Sequence, residues 1–140
     1  MQLTRHTDYA LRLLICLAGE AGERTIADVA RSQDISQAHL MKIANQLARA
    51  GFIAATRGRG GGIRLARAAA EINIGAVVAE MEPTCAMVDC GSCRLVRGCS
   101  LPAALRRAKQ AFMAELAAYS LADIMVADGT AQAGQALPAT

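Results

Sequence analysis

The chain has 140 residues, of which 54% are hydrophobic and 19% charged, and its formal net charge is +3 at pH 7. This length suits one ordinary domain with a core of its own and argues against a multidomain enzyme. No uncharged run approaches the roughly 20 residues that span a bilayer, and the N-terminus lacks a secretion signal. We therefore expect a cytoplasmic protein with no membrane contact.

The charge is divided unevenly along the chain. Residues 1–67 contain ten Arg or Lys against five Asp or Glu, whereas residues 68–140 contain five against seven. A positive half suits a polyanionic partner such as DNA, but an unevenly charged solvated surface would have the same composition. The motifs have to distinguish these two interpretations.

Three helices are predicted in the first fifty residues. Residues 5–18 repeat apolar side chains at helical spacing. Thr25 is a suitable N-cap for a second, short helix, with Asp28 as an acidic variant of the capping box. Ser36 is predicted to cap a third helix that ends with Gly51 in the C-cap position. Two helices joined by a tight turn predict a helix-turn-helix.

The period of the sequence then changes from helix to strand. Segments 52–57 and 63–66 flank the glycine-rich stretch 58–62, which predicts a β-hairpin with an extended tip, or wing. Arg57 and Arg59 supply positive charge at the tip. No Lys-Ser or Lys-Thr pair follows the glycines, which argues against a phosphate-binding P-loop.

The remainder predicts a short helix, a cysteine-rich loop and a long helix. The short helix ends before Pro83, and the long helix begins after Ser100 with Pro102 in its first turn. A small N-terminal domain cannot cover the whole apolar stripe of the long helix, so we expect it to pair with its twin in a homodimer. The stripe comprises Leu101, Leu105, Ala108, Phe112, Leu116 and Tyr119. A last short helix is predicted from Ser120 through Val126.

Four of the five cysteines lie within fifteen residues. In a chain without a secretion signal, such clustering indicates metal or redox chemistry rather than disulfides. Soft thiolates bind zinc, copper(I) and iron–sulfur clusters, and the spacing does not choose between a structural zinc site and a cluster. The clustered residues are Cys85, Cys90, Cys93 and Cys99, while Cys16 lies on the apolar side of the first helix as a structural thiol.

An enzyme is the alternative class of function. Cys90 and Cys93 form a CxxC pair that a thiol oxidoreductase could use. The sequence around them lacks the βαβ pattern of thioredoxin-like proteins, so we predict that the chain is not an enzyme.

The order of these elements resembles the iron–sulfur winged-helix transcriptional regulators. The resemblance covers about residues 1–126 and is greater to the nitric-oxide-sensing NsrR branch than to the IscR branch, which regulates iron–sulfur biogenesis. Among the matching stretches are Thr7-Asp8-Tyr9-Ala10-Leu11-Arg12, Gly61-Gly62-Ile63-Arg64-Leu65 and Glu80-Met81-Glu82-Pro83.

For DNA, the resemblance implies a dimer that places two recognition helices in successive major grooves of a near-palindromic operator. The wings would then reach the flanking minor grooves. The residues that correspond to the family's DNA contacts are Ser36, Gln37, Ala38, His39 and Lys42 on the recognition helix and Arg57, with Arg59 beside it, on the wing.

For the cysteines, the resemblance implies a [4Fe-4S] or [2Fe-2S] cluster on Cys90, Cys93 and Cys99. Fewer residues separate Cys90 from Cys93 than separate the corresponding cysteines in the family. In addition, Pro102 occupies the position at which the IscR branch has a histidine. Asp8 matches a residue that reaches the cluster from the partner subunit in a branch of the nitric oxide sensors. The alternatives are that Asp8 only stabilises the start of its helix and that Cys85 is the fourth ligand.

Together these inferences predict a mainly α protein, a DNA-binding repressor that senses nitric oxide. The alternatives are an iron-status or redox-responsive regulator of the same family and a DNA-binding protein with structural zinc. The predicted segments are a winged helix-turn-helix domain (1–82), a cluster-binding loop (83–99), a dimerisation helix with a short terminal helix (100–126) and a disordered tail (127–140).

Overall fold

The computed structural model describes residues 2–19, 22–56, 58, 61–82, 87–90, 92–94 and 98–125. Its elements are α1 (Arg5–Gly19), α2 (Ile26–Ser32), α3 (Gln37–Arg49), β1 (Ile53–Ala55), β2 (Ile63–Leu65), a 3₁₀ turn (Ala69–Glu71), α4 (Ile74–Met81), α5 (Leu101–Leu116) and α6 (Leu121–Ile124). The predicted mainly α fold with a small two-stranded wing is confirmed. None of the helices within the described ranges has the length and apolar character of a membrane span. The predicted tail lies outside the described residues.

The helix-turn-helix forms where its sequence predicts it, with two local differences. Thr25 caps α2: its hydroxyl oxygen accepts a hydrogen bond from the Asp28 N–H at 3.1 Å and donates one to the Asp28 carboxylate at 2.6 Å. Ser36 occupies the N-cap position of α3, but its side chain makes no capping hydrogen bond, so this part of the prediction is wrong. Ala50 takes the C-cap position, and Gly51 follows it with a φ of 77°, which a glycine adopts without strain.

The wing is an antiparallel hairpin in which Ile53 lies opposite Leu65. Both strands are shorter than predicted, with three residues each. The backbone of Arg24 also pairs with that of Ile63, through N–H···O distances of 3.0 and 2.7 Å. This pairing ties the segment before α2 to the wing, which fixes the base of the hairpin relative to the helix-turn-helix.

A single apolar core joins the helices and the base of the wing. The apolar faces predicted for α1, α3 and α4 are buried, except that Tyr9 of α1 is only partly covered. Leu121 of α6 is fully buried in the same core, because the chain returns from α5 to the N-terminal helices. The largest fully buried aliphatic side chains are Leu13, Leu14, Val29, Leu40, Ile43, Leu47, Ile72, Val77, Val78 and Leu121.

Helices α4 and α5 form a helical hairpin that is closed at one end. At this closed base the Asn73 side chain accepts the Ala76 N–H, which caps α4, and donates to the Ala117 carbonyl at 2.7 Å. Gly75 lies against the same Ala117, so close that a Cβ at position 75 would come within 2.8 Å of the Ala117 nitrogen. The cysteine loop joins the other ends of the two helices.

Helix α5 is poorly covered within the protomer. It has 16 residues against eight in α4, so it is longer by about 12 Å at 1.5 Å per residue. None of its residues is buried, although Met113 and Leu116 pack against the core. The apolar stripe was predicted to continue to Tyr119, but α5 ends at Leu116, before that residue.

Candidate functional site

Helix α3 has a buried side and an exposed side at the surface of the helix-turn-helix. Leu40, Ile43, Ala44 and Leu47 are buried. Ser36 and the predicted DNA-binding residues Gln37, Ala38 and Lys42 lie together on the exposed side at its N-terminal end. Met41 and Asn45 lie on this side as well and were not predicted. For Met41 the reason is that a methionine inside an apolar pattern is usually a core residue. Met41 lies four residues after Gln37, and Asn45 four residues after Met41; this spacing is the signal that would have identified them.

His39 differs from the other predicted DNA-binding residues. Its ring is half-buried, stacks on His6 of α1 with 5.7 Å between ring centroids and meets the edge of Tyr9 at 5.3 Å. His39 therefore helps to fix α3 against α1. The predicted wing contacts Arg57 and Arg59 lie outside the described residues.

Gln46 connects three helices near the point where the cysteine loop begins. Its side-chain oxygen lies 2.9 Å from His6 Nε2 of α1, and its nitrogen donates to the Glu80 carbonyl of α4 at 3.0 Å. The rear of the recognition helix is thus hydrogen-bonded to the end of α4.

Glu82, the last described residue before the loop, fastens this end of α4 to α1. Its carboxylate accepts hydrogen bonds from the Thr4 N–H and from the Thr7 hydroxyl, the latter at 2.8 Å. Partial burial acts to raise the pKa of Glu82, but these hydrogen bonds and the nearby His6 outweigh it, so the pKa lies below its ordinary value. The ionised carboxylate therefore stabilises this junction.

We expect the substitution Glu82→Gln to reduce the pH dependence of stability. A carboxyl group whose pKa is lowered by folding stabilises the protein above its unfolded pKa, about 4.3, and this contribution is lost as the pH falls through the folded value. We expect the free energy of unfolding, measured in urea, to fall between about pH 6 and pH 3 in both proteins. The fall in the wild type should exceed that in the variant by on the order of 1 kcal/mol. Glu80→Gln, at an exposed neighbouring carboxylate, is the control. Equal pH profiles for the wild type and Glu82→Gln would contradict the assignment.

Three cysteines meet at the start of α5. Cys90, Cys93 and Cys99 are exposed and line one cavity of about 250 Å³, together with Val88, Asp89, Leu101 and Pro102. The Cys93 N–H donates to the Cys90 carbonyl at 3.3 Å, which turns the loop between the first two thiols. Cys85 lies outside the described residues.

The three thiols fit an iron–sulfur cluster in chemistry and shared location, and such a cluster takes a fourth ligand besides them. Within the described ranges, no group of three or more His, Cys, Asp or Glu side chains converges to hold a single metal ion. A cluster contains several iron atoms that take thiolates on different sides, so its ligands have to line a common cavity rather than converge on one point. The cysteine cavity meets that requirement.

Asp8 and Cys16 both lie on α1, apart from the cysteine cavity. The Asp8 carboxylate pairs with the Arg12 guanidinium through contacts of 2.9 and 3.0 Å and lines a different surface cavity with Leu3 and Leu11. One protomer therefore does not bring Asp8 to the cysteines, and a ligand role for it requires a second subunit. Cys16 is half-buried and packs against the core, in agreement with a structural thiol.

An exposed recognition helix, a hairpin wing and a shared core define a winged-helix protein. A family model described as "Rrf2: Iron-dependent Transcriptional regulator" matches residues 3–127. The chain therefore belongs to the Rrf2 family of transcriptional regulators. Proteins of this class act on DNA and are regulators rather than enzymes.

Solved structures share the fold over nearly the whole chain. CymR, the global cysteine regulator of B. subtilis, is 22% identical with a TM-score of 0.71, and the match covers 88% of this chain and 95% of CymR. IscR of T. potens is 21% identical with a TM-score of 0.72, over 88% and 85% of the two chains. The oxidized form of CymR from Staphylococcus aureus is 23% identical with a TM-score of 0.70, over 91% and 99%. At identities of 21 to 23%, the similarity establishes a shared fold and no shared activity.

Proposed function

We propose that the chain is a homodimeric transcriptional repressor that responds to nitric oxide through an iron–sulfur cluster on Cys90, Cys93 and Cys99. The main support is the single cavity that these three thiols line in a member of a family described as iron-dependent. When bound, such a cluster supplies an iron atom that a diatomic gas can attack where the fourth ligand is weak. The fourth ligand would be Asp8 of the partner subunit, with Cys85 as the alternative.

Duplex DNA is the proposed partner of the exposed side of α3. Gln37 and Lys42 present an amide and a cation at its N-terminal end, where helix-turn-helix proteins contact base edges and phosphates. Arg57 and Arg59 would extend the contact to the minor groove. Because the dimer is symmetric, its operator would be near-palindromic.

A second copy of the chain is the proposed partner of α5. The helix buries none of its residues in the protomer, yet Leu101 is 52% exposed, and Leu105 and Phe112 are only partly covered. An isologous contact of this helix with its twin would bury the stripe. The cysteine cavity lies at the start of the same helix, so the ligand state of the loop would bear directly on the dimer.

The contacts described above offer a route from the loop to the DNA. Glu82 holds the start of the loop to α1, and Gln46 joins the end of α4 to α3. DNA requires the two recognition helices about 34 Å apart, or a multiple of this distance. A few kcal/mol between two dimer arrangements is enough to change the bound fraction greatly.

The test is a titration of the anaerobically purified, cluster-containing protein with nitric oxide. An operator is first selected from random-sequence duplex DNA, and then visible absorbance and operator binding are followed together. We expect the absorbance to change and the operator to be released over the same range. Protein freed of iron by a chelator is the control. A complete absorbance change with undiminished operator affinity would refute nitric oxide as the signal and favour an iron-status role.

Thiol oxidation is the second candidate for the signal. The thiols of Cys90, Cys93 and Cys99 are exposed and share a cavity, and the fold is shared with a regulator whose structure is of an oxidized form. Peroxide would then release the metal-free protein from DNA, and dithiothreitol would restore binding. A colourless protein with one zinc per chain that is insensitive to both reagents would instead indicate a structural zinc site.

A further inference from the structure

Met41 is an apolar side chain that the core does not use. It is 47% exposed, whereas its neighbours on α3, Leu40 and Ile43, are fully buried. An unbranched, polarizable methionine on an exposed helix face is adaptable to a binding partner. Its thioether is therefore available to a ligand with an apolar group.

Met41 lines a cleft between the recognition helix and the wing. The cleft has a volume of about 310 Å³, and Gln37, one helical turn before Met41, shares it with Ile26, Thr56 and Gly62. Side chains at i and i+4 point to the same side of a helix. One amide and one thioether thus face the same space.

The carboxylates near this cleft are paired, so they do not repel a polyanion. Glu23 accepts a hydrogen bond from Thr56 at 2.7 Å and lies 3.8 Å from the Arg64 guanidinium, so its carboxylate is compensated. Asp28 is similarly compensated by Thr25 and by Arg31. Lys42 adds positive charge next to Met41. Duplex DNA is the partner that fits this surface, because its major groove admits an α-helix and its phosphates attract a lysine.

We infer that Met41 contacts the methyl group of a thymine in the operator, while Gln37 pairs with the adenine of an adjacent base pair. This inference rests on the proposed role of α3 in DNA binding. The thymine methyl is the apolar group that distinguishes base pairs in the major groove, and adenine offers the donor and acceptor that an amide pairs with. The 5–6 Å between side chains at i and i+4 is compatible with adjacent base pairs.

The experiment removes that methyl group alone. Each thymine of the selected operator is replaced in turn by deoxyuridine, and binding of the cluster-containing protein is measured at fixed salt. At one position per half-site we expect an affinity loss of about fourfold, equivalent to about 0.8 kcal/mol for a buried methyl group. Substitution in both half-sites should give a loss of about fifteenfold. Met41→Ala should bind the thymine and uracil operators equally.

Lys42→Ala is the matched control, at an exposed neighbouring residue of the same helix. Loss of a phosphate contact weakens binding to both operators and keeps the fourfold ratio between them. Because Met41 is exposed, circular dichroism should show unchanged thermal unfolding of Met41→Ala. Failure to enrich any DNA sequence would overturn the proposed function itself. An enriched operator with no methyl-sensitive position, or methyl sensitivity that persists in Met41→Ala, would overturn this inference alone.

Discussion

Replacement of Cys93 or Cys99 by alanine is expected to reduce bound iron and sulfide to background, whereas Cys16→Ala retains both at wild-type levels. All three loop thiols line the same cavity, and removal of either leaves only two protein thiolates there. Cys16 packs against the core from α1 and faces no part of that cavity. Iron and acid-labile sulfide per chain, measured after anaerobic reconstitution, provide the readout.

Cys16→Ala is also the control for the effect of losing a thiol on folding. Its helical circular dichroism should match that of both loop variants, because the loop thiols are exposed and contribute little to the core. Full iron and sulfide in Cys93→Ala or Cys99→Ala would contradict the cluster assignment.

The same assay on Asp8→Ala and Cys85→Ala identifies the fourth ligand, since the cluster should be lost faster on exposure to air when that ligand is missing.

Gly75→Ala is expected to destabilise the protein, although alanine is the better helix former. Propensity alone would favour alanine by about 1 kcal/mol in a helix interior. In this structure the new Cβ would lie 2.8 Å from the Ala117 nitrogen and 2.9 Å from its Cα, and backbone atoms cannot rotate away. The end of α5 would have to move off α4, and overpacking of this kind costs about 1–3 kcal/mol. The two effects together predict a net loss of up to about 2 kcal/mol.

Gly19→Ala is the matched control, also at a helical glycine. Among the described residues, its Cβ would meet only Met125 Cε at 3.9 Å, an ordinary contact. Urea unfolding midpoints should therefore fall for Gly75→Ala and stay equal or rise for Gly19→Ala. An unchanged or higher midpoint for Gly75→Ala would mean that α5 is not tightly fixed to α4.

The elements that the sequence predicts well are those encoded by local patterns. The apolar faces of α1 and α3, the Thr25 cap and the hairpin each depend on residues a few positions apart. The pairing of Arg24 with Ile63, the burial of Leu121 and the contact of Asn73 with Ala117 join residues tens of positions apart. Such contacts depend on how the elements pack, which periodicity does not encode.

The candidate site shows the same division. The clustering of Cys90, Cys93 and Cys99 is visible in the sequence, and the structure adds that they share a cavity with the first turn of α5. The exposed side of α3 follows from helical periodicity. Helical periodicity does not predict that His39 stacks on His6 or that Met41 is exposed. Both depend on how α3 packs against α1.

The closed base of the helical hairpin makes the cysteine loop an interchangeable segment. One end of the loop follows Glu82, which is held by Thr4 and Thr7, and the other end leads into a helix fixed at Gly75 and Asn73. The free energy of closing a flexible loop rises only slowly with its length. Insertions or deletions between these two ends are therefore expected to leave the helical scaffold intact, so that the loop can change in length and composition without redesign of the core.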